Sequence, residues 1–513
     1  MYVTYSILTK WFPNKTIFIF VILIGSTIQT YAQVIQSNRI EFPLFENDHG
    51  FEIINAYQDG LFLFRRATQG NGDVIDLIKL DTTFQQRWHG QLPISQKFVL
   101  MGKKVKNDLL YLLFRFQDYS KNDFELFIIN QANGTYLKYT IKNFIPFAPN
   151  EFQVTEKAIL IGGYFNRVPV VIYYSLTTEK TKVLPGLFNE TGELTQVRTY
   201  EDGSIDVLIS GQNLSGQKTI WVKNYDSDGD LLSNQALEPE ENKNLIFARS
   251  IKTENQLQLI AGVYGGRNTE YSRGLFMASI DPSGMQNIRY YSFGDLENFF
   301  KYMRAKHELR VKSRIERRKI KGKKTRFNYR FLVHEIVPFN NQYILLGEAF
   351  FSKYTTINSS YYTGFFSPLR GGNYFTRDGR IFDGYYYTHA VVMGFTNDGD
   401  LIWDNSFEIK DIKTFTLEQF VKLEIKDDKI VLLYLFENEL RTKIIKGNEV
   451  LEGKTSEPID TKVEKDVVKR DADAVNRLDY WYTKYFYAYG IQEISNPSIG
   501  KRKVFFINKV SYK

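Results

Sequence analysis

A short and very apolar segment returns eight times along this 513-residue chain, and that periodicity limits the fold more than any other feature. The copies are LFLF from Leu61, LLYLLF from Leu109, ILIGGYF from Ile159, VLISG from Val207, LQLIAGVY from Leu257, ILLGEAF from Ile344, IVLLYLF from Ile430 and YFYAYG from Tyr485. Their first residues lie 48, 50, 48, 50, 87, 86 and 55 positions apart. A unit of about 49 residues therefore repeats, and two of the units carry about 37 extra residues each.

The flanking segments repeat as well. An alternating stretch precedes the apolar one, as in FEIINAY from Phe51, FLVHEIV from Phe331 and FVKLEIK from Phe420. Another follows it, as in VIDLIKLD from Val74, FELFIIN from Phe124, GLFMASID from Gly274 and HAVVMGFT from His389. A fourth comes after a turn, as in NIRYYSF from Asn287 and LIWDNSF from Leu401. Period-two alternation bounded by Gly, Asp and Asn predicts antiparallel strands joined by hairpins. The 34 Tyr, 41 Phe and 5 Trp set against 13 Pro favour strands in the same way. Four strands in about 40–50 residues make one blade of a β-propeller. The expected fold is an all-β, eight-bladed propeller, or a seven-bladed one if the Tyr485 unit is miscounted. The last unit stops at its third strand, KVFFINKV (Lys503 to Val510), whereas RIEFPLF (Arg39 to Phe45) precedes the first complete unit. That early segment is expected to supply the missing outer strand and close the ring, which removes an unpaired sheet edge.

Three units share a turn with matching offsets: LDTTFQQRW from Leu80, IDPSGMQNI from Ile280 and FTNDGDLIW from Phe395, with YDSDGDLL from Tyr225 as a looser copy. These turns resemble the repeats of exported bacterial β-propeller proteins, in which a strand ends in Asp, turns through Gly and re-enters with an aromatic or aliphatic residue. Phe84 stands where Gly is expected, and Thr396 where Asp is usual. The resemblance implies a fold and a life outside the cytoplasm. Propellers host many activities, so it implies no function. DSDGD (Asp226 to Asp230) has the look of a calcium loop, but its glycine falls fourth rather than sixth and no Glu occupies the twelfth place. It reads as a hairpin turn.

Charge is concentrated. Residues 301–330 hold fourteen Lys and Arg against Glu308 and Glu316, a net +12, whereas the whole chain carries only +8. Leu296, Phe300, Met303, His307, Val311 and Ile315 step by three or four residues there, which predicts a helix within 296–330 with a cationic outer face. Its candidate contacts with an anionic partner are Lys306, Arg310, Arg314, Arg317 and Arg318. The second insertion, 352–388, is crowded with aromatics, including Tyr361, Tyr362 and Tyr386, and contains Arg377. Chain direction alternates from strand to strand, so the connection between blades and the connection from second to third strand fall on one face of the disc. Both insertions are therefore expected on one rim, at adjacent blades. Other connections on that side carry Arg65, Arg66, Arg115, Arg167, Arg267 and Arg273, whose guanidinium groups are candidates for holding carboxylate or phosphate.

Lys10 and Lys15 followed by IFIFVILIG and small residues at Thr30 and Ala32 predict a signal peptide over 1–32, cut before Gln33, ahead of a single propeller over 33–513. The nine-residue apolar run is too short to cross roughly 30 Å of hydrocarbon as a helix. Cysteine is absent, which excludes disulfides, thiol catalysis and a lipid-bearing N-terminal cysteine. The five histidines show no metal-ligand spacing, and no phosphate loop, GxSxG or dinucleotide fingerprint occurs, so neither cofactor, metal nor catalytic residue is assigned. The functional expectation is a periplasmic or secreted binding or scaffold protein that recognises an anionic or aromatic-rich partner at one decorated face. An envelope protein, an acidic polysaccharide or an anionic lipid surface would suit that face, and nucleic acid is not expected. The alternative is a carbohydrate-active hydrolase or lyase working at the propeller mouth.

Overall fold

The computed structural model describes residues 34–45, 50–69, 72–95, 97–117, 123–142, 145–187, 191–253, 255–356, 380–410, 412–469 and 476–512. The proposed leader lies outside them. Eight antiparallel sheets follow one another around a ring. The first seven blades take their four strands in chain order from residues 52–94, 98–141, 148–183, 192–236, 244–292, 330–408 and 422–458. Each repeated apolar segment forms the second strand of its blade. Both faces of that strand are covered by neighbouring blades, so it reads as a continuous apolar run. In Ala158–Phe165 the first six residues are all buried.

Blade eight is assembled from both ends of the chain. Arg477–Tyr482, Tyr485–Asn496 and Gly500–Tyr512 supply three strands, and Val34–Pro43 pairs antiparallel with the last of these. Register runs from Val34 opposite Tyr512 to Pro43 opposite Val504. Arg39 fastens this closure by donating to Glu41 (2.7 Å), to the Asn508 side chain (2.9 Å) and to that of Gln492 (2.8 Å).

The core is divided into eight apolar clusters, one between each pair of neighbouring blades. The cluster joining blades eight and one contains Trp481, Phe505 and Ile507 from one side and Phe51, Leu61 and Phe84 from the other. The ring is therefore sealed by apolar packing as well as by strand pairing.

The repeated turns owe their sequence to one job. The Asp281 carboxylate accepts the backbone N–H groups of Ser283 (2.9 Å) and Met285 (2.8 Å), and Asp226 does the same for Asp228 (3.0 Å) and Asp230 (2.9 Å). Gly229, Gly284 and Gly399 take φ between +78° and +86° at the sharp point of their turns. DSDGD is thus a hairpin turn whose first carboxylate is already occupied. Thr396 replaces Asp by accepting the Asp400 N–H at 3.0 Å. Phe84 sits at φ +67°, in the glycine place, with its ring stacked on Trp481 across the closing junction.

Candidate functional site

Blade six carries the decoration. After the outer strand of blade five, Gln286–Ser292, the chain enters the gap between blades five and six. Phe293, Leu296, Phe299 and Phe300 are buried in the core those blades share. Asp404, on the outer strand of blade six, accepts the N–H groups of Glu297 (2.9 Å) and Asn298 (2.8 Å) and anchors the segment. The Ser406 hydroxyl donates to the Asn298 carbonyl at 2.8 Å. Tyr302 then stacks on His389 at 3.7 Å, and Phe299, Tyr329 and Phe331 surround the same imidazole. Complete burial pushes His389 down to about 3, so it is neutral.

The basic helix itself is Ala305–Ile320. This corrects the apolar stripe read from sequence. Leu296 and Phe300 are buried but belong to the entry segment and the short 3-10 turn Phe299–Tyr302, and His307 is exposed. Only Val311 and Ile315, with Met303 and Phe327, hold the helix to the propeller. Beyond its last turn the Lys323 N–H donates to the Arg318 carbonyl at 2.9 Å, with Gly322 at φ +63°.

Of the fourteen cations in 301–330, Lys312 pairs with Glu308 at 2.7 Å and Arg330 with Glu270 at 3.6 Å. The other twelve form no ion pair among the described residues. Lys306, Arg310, Arg314 and Arg317 are exposed, whereas Arg318 is half-buried and donates to the Lys324 carbonyl.

The second and third strands of blade six, Gln342–Thr356 and Arg380–Thr396, run on past the outer strand Leu401–Glu408, whose last pairing is Glu408 with His389. The extension carries a run of touching rings. Phe350 meets Tyr385 and Tyr387, Phe351 stacks on Tyr386 at 5.5 Å, and Phe382 contacts Tyr354, Tyr385 and Phe415. The Tyr386 hydroxyl donates to Asp383 at 2.8 Å, and Lys413 (2.7 Å) and Lys353 (3.4 Å) flank the same carboxylate. Hydrogen bonds from Lys413 and Tyr386 hold Asp383 down to about 2. Phe351, Tyr354, Phe415 and Leu417 remain exposed. Arg330, which follows the helix, bonds the Ser352 hydroxyl at the root of this hairpin. The two insertions therefore share one rim and touch at their bases.

Two cavities meet on the propeller axis with Arg249 in the wall of both. One, of about 430 Å³, opens between the starts of the first strands of blades seven and eight, on the decorated rim. Its charges are paired: Lys422 with Asp479 at 2.7 Å and Arg477 with Glu418 at 3.0 Å. The other, of about 730 Å³, opens towards the opposite rim and is lined by Lys104, Glu151, Arg198 and Glu335 among others. Glu335 accepts from Arg198 (3.1 Å) and Gln196 (3.1 Å), and Arg249 lies 3.5 Å away. Burial pushes Glu151 up, with Arg249 opposing and Glu335 adding to the shift. Burial likewise pushes Lys104 down. Sequence reading missed this axial group. Its signal was there, since charged residues recur at 104, 151, 198, 249 and 335 in step with the blades.

The arginines expected to converge on the mouth are held apart. Arg65 is opposite Asp76 in its own blade, 3.5 Å from that carboxylate, with its guanidinium 4.6 Å from the Phe51 ring. Arg66 lies 3.6 Å from Asp73, and Arg115 is buried. Arg167 and Arg267 are in exposed turns. Arg167 borders a separate pocket beside Glu193, and none of Arg65, Arg66, Arg115, Arg167, Arg267 and Arg273 lines an axial cavity. Tyr361, Tyr362 and Arg377 lie outside the described residues. No group of acidic and histidine side chains among the described residues is placed to hold a metal ion. No described helix is long and apolar enough to cross a membrane.

Eight sheets of four or five strands, closed by the N-terminal strand, define an eight-bladed β-propeller. No protein-family model matches the sequence, and no curated protein matches it. Similar solved structures include a prolyl endopeptidase, at 9% identity over 81% of this chain and 50% of that one, with a TM-score of 0.36. This chain thus spans about half the length of that enzyme. The β-propeller domain of the trilobed protease from Pyrococcus furiosus is 11% identical over 80% of this chain and 95% of its own, at 0.34. Polysaccharide lyase Uly1 is 10% identical over 93% and 99%, at 0.39. Nothing about chemistry follows from likenesses this distant.

Proposed function

We propose that this protein is an exported binding or scaffold propeller that holds an anionic partner against its decorated rim. One observation carries the reading: twelve cations that form no ion pair among the described residues stand on the rim that also bears the exposed rings of the blade-six hairpin. Like charges packed this closely repel one another, and an anionic partner relieves that repulsion. The axial mouth on the same rim supports the reading in a negative way. Its cations are neutralised by Asp479 and Glu418, so attraction for an anion is greatest at the insertions. The leader over 1–32 places the partner in the periplasm or outside the cell. The test is capture from an envelope extract by the exported protein and by a Lys306→Gln, Arg310→Gln, Arg314→Gln, Arg317→Gln variant. The variant is expected to lose the captured partner, and identical captures by both would remove the basis for the proposal.

A second reading, a carbohydrate-active hydrolase or lyase, is favoured by the axial carboxylates. Glu151, raised by burial, and Glu335, held between guanidinium groups, line the same cavity, and hydrolysis of sugars uses a pair of carboxylates. Turnover of a polysaccharide that disappears in Glu151→Gln would select this reading over binding alone.

A further inference from the structure

We infer that the anionic partner is a phospholipid surface, and that the basic helix and the aromatic hairpin dock on it together as two anchors on one rim. The inference rests on the proposed anionic partner and goes beyond it in naming the chemistry.

The helix presents more than charge. Leu309 is 65% exposed and Ile320 83%, although the face towards the propeller is served by Val311 and Ile315. Eleven residues are close to three turns, so Leu309 and Ile320 lie on one line facing away from the protein, with the Glu316 carboxylate as the single acidic group near that line. Lys306, Arg310, Arg314, Arg317 and Lys321 flank that line on one side, and Lys312 and Lys319 on the other, by the 100° advance of each residue. Apolar residues bordered by cations are the pattern of a helix lying in the headgroup plane, its apolar line at the acyl boundary and its cations among phosphates. A hydrated acidic polysaccharide would use the cations and leave Leu309 and Ile320 without a role.

The hairpin repeats the pattern. Phe351 and Tyr354 of the hairpin and Phe415 and Leu417 of the neighbouring connection to blade seven are exposed, and Lys353 and Lys413, which share the single carboxylate of Asp383, lie beside the rings. Exposed aromatic rings on the rim suit the membrane interface, where one end of the side chain is apolar and the other wet. Because Arg330 ties the end of the helix segment to Ser352 of the hairpin, a broad surface can meet both anchors at once. Two weak anchors on a rigid frame bind together far more tightly than either alone.

The test uses the purified exported protein and sedimentation with vesicles of phosphatidylglycerol mixed with phosphatidylcholine, against phosphatidylcholine alone and against soluble polygalacturonate. Binding is expected only to the anionic vesicles, and to weaken with salt. Lys306→Gln, Arg310→Gln, Arg314→Gln should weaken it by about 100-fold, at about fivefold per cation near the surface. Leu309→Ser, Ile320→Ser, which leaves every charge in place, should weaken it by about tenfold or more. All five side chains point to solvent, and unchanged far-ultraviolet dichroism verifies folding. Vesicle binding unaffected by both variants overturns the inference. Binding to polygalacturonate but not to vesicles overturns it and leaves the anionic-partner reading standing. Binding to neither probe overturns the inference, and the envelope capture then decides the anionic-partner reading by itself.

Discussion

Phe84 stands where the repeat calls for glycine, and the structure gives the reason in terms that can be tested. Its backbone occupies the left-handed region, at φ +67°, where sister turns place Gly229, Gly284 and Gly399. For a residue with a Cβ that conformation costs about 1–2 kcal/mol. In return the ring is buried and stacks on Trp481 at 5.5 Å and 11°, across the junction of blades eight and one. Phe84→Ala keeps the backbone cost and loses the ring, so it should destabilise by about 3–5 kcal/mol. Phe84→Gly also loses the ring but relieves the backbone. After about 0.5–1 kcal/mol is deducted for the extra freedom of glycine in the unfolded chain, Gly should exceed Ala by about 0.5–1 kcal/mol. The expected order is Phe, then Gly, then Ala, the reverse of the usual ranking of Ala over Gly. Urea titrations followed by far-ultraviolet dichroism, with a common slope for the three proteins, give the differences. In a Trp481→Ala background the Phe84→Gly cost should shrink by about 0.5–1.5 kcal/mol, the worth of the stacked pair. An alanine variant as stable as the glycine one, or no coupling to Trp481, refutes the reasoning.

Three other outcomes follow from particular side chains. Glu348 is completely buried and accepts from His334 (2.8 Å) and from the N–H groups of Val421 (2.9 Å) and Phe420 (3.2 Å), so Glu348→Ala should cost about 3 kcal/mol in the same titration. Burial pushes Glu424 up to about 7 from an ordinary 4.5, so the folded state keeps a proton that the unfolded state has lost between those values. Stability from this group is fully present below about pH 4.5 and falls as pH rises through about 7; Glu424→Gln should flatten that slope, and an unchanged slope would exclude Glu424 as its source. Deleting Val34–Pro43 bares the outer edge of the strand Gly500–Tyr512, and light scattering should then report self-association that the intact protein does not show.

The fold was legible because blade architecture writes itself into local pattern. A second strand covered on both faces must be apolar throughout, and a hairpin that recurs must keep its turn chemistry, so eight units could be counted from Leu61 to Tyr485. Closure was legible because the last unit ran out one strand short. The helix boundary was not. Leu296 and Phe300 fit a helical step, but Asp404 binds the amides of Glu297 and Asn298 and draws that stretch onto blade six, a contact 106 residues distant in sequence. That the arginines find partners within their own blades was not legible for a related reason. Arg65 was placed on the correct side of the disc, yet Asp76 lies directly opposite it across the strand pair and takes its charge. Glu151, Arg198, Arg249 and Glu335 looked like the polar half of an alternating strand. Only closure of the ring turns that half of every first strand towards a common axis.

How the insertions are rooted explains why so much charge can be carried on one rim. A connection between blades must still seal the core it passes, and residues 293–303 do this mainly with rings packed around the His389 imidazole of blade six. His389 is kept neutral by burial and faces Tyr302, Phe299, Tyr329 and Phe331. Tyr302 and Tyr329 share a hydrogen bond between their hydroxyls at 3.2 Å. Burial raises Asp404 too, and its two backbone N–H bonds oppose that shift. Most of the cations therefore begin where the chain has left the dry junction, and Asp404, the carboxylate buried in the root, is taken up by the amides of Glu297 and Asn298. Repulsion among them is left to solvent, salt and whatever meets the rim. A carboxylate beside Tyr302 would have neutralised the helix from within at a heavy desolvation cost. The aromatic root avoids that cost and directs the charge outward.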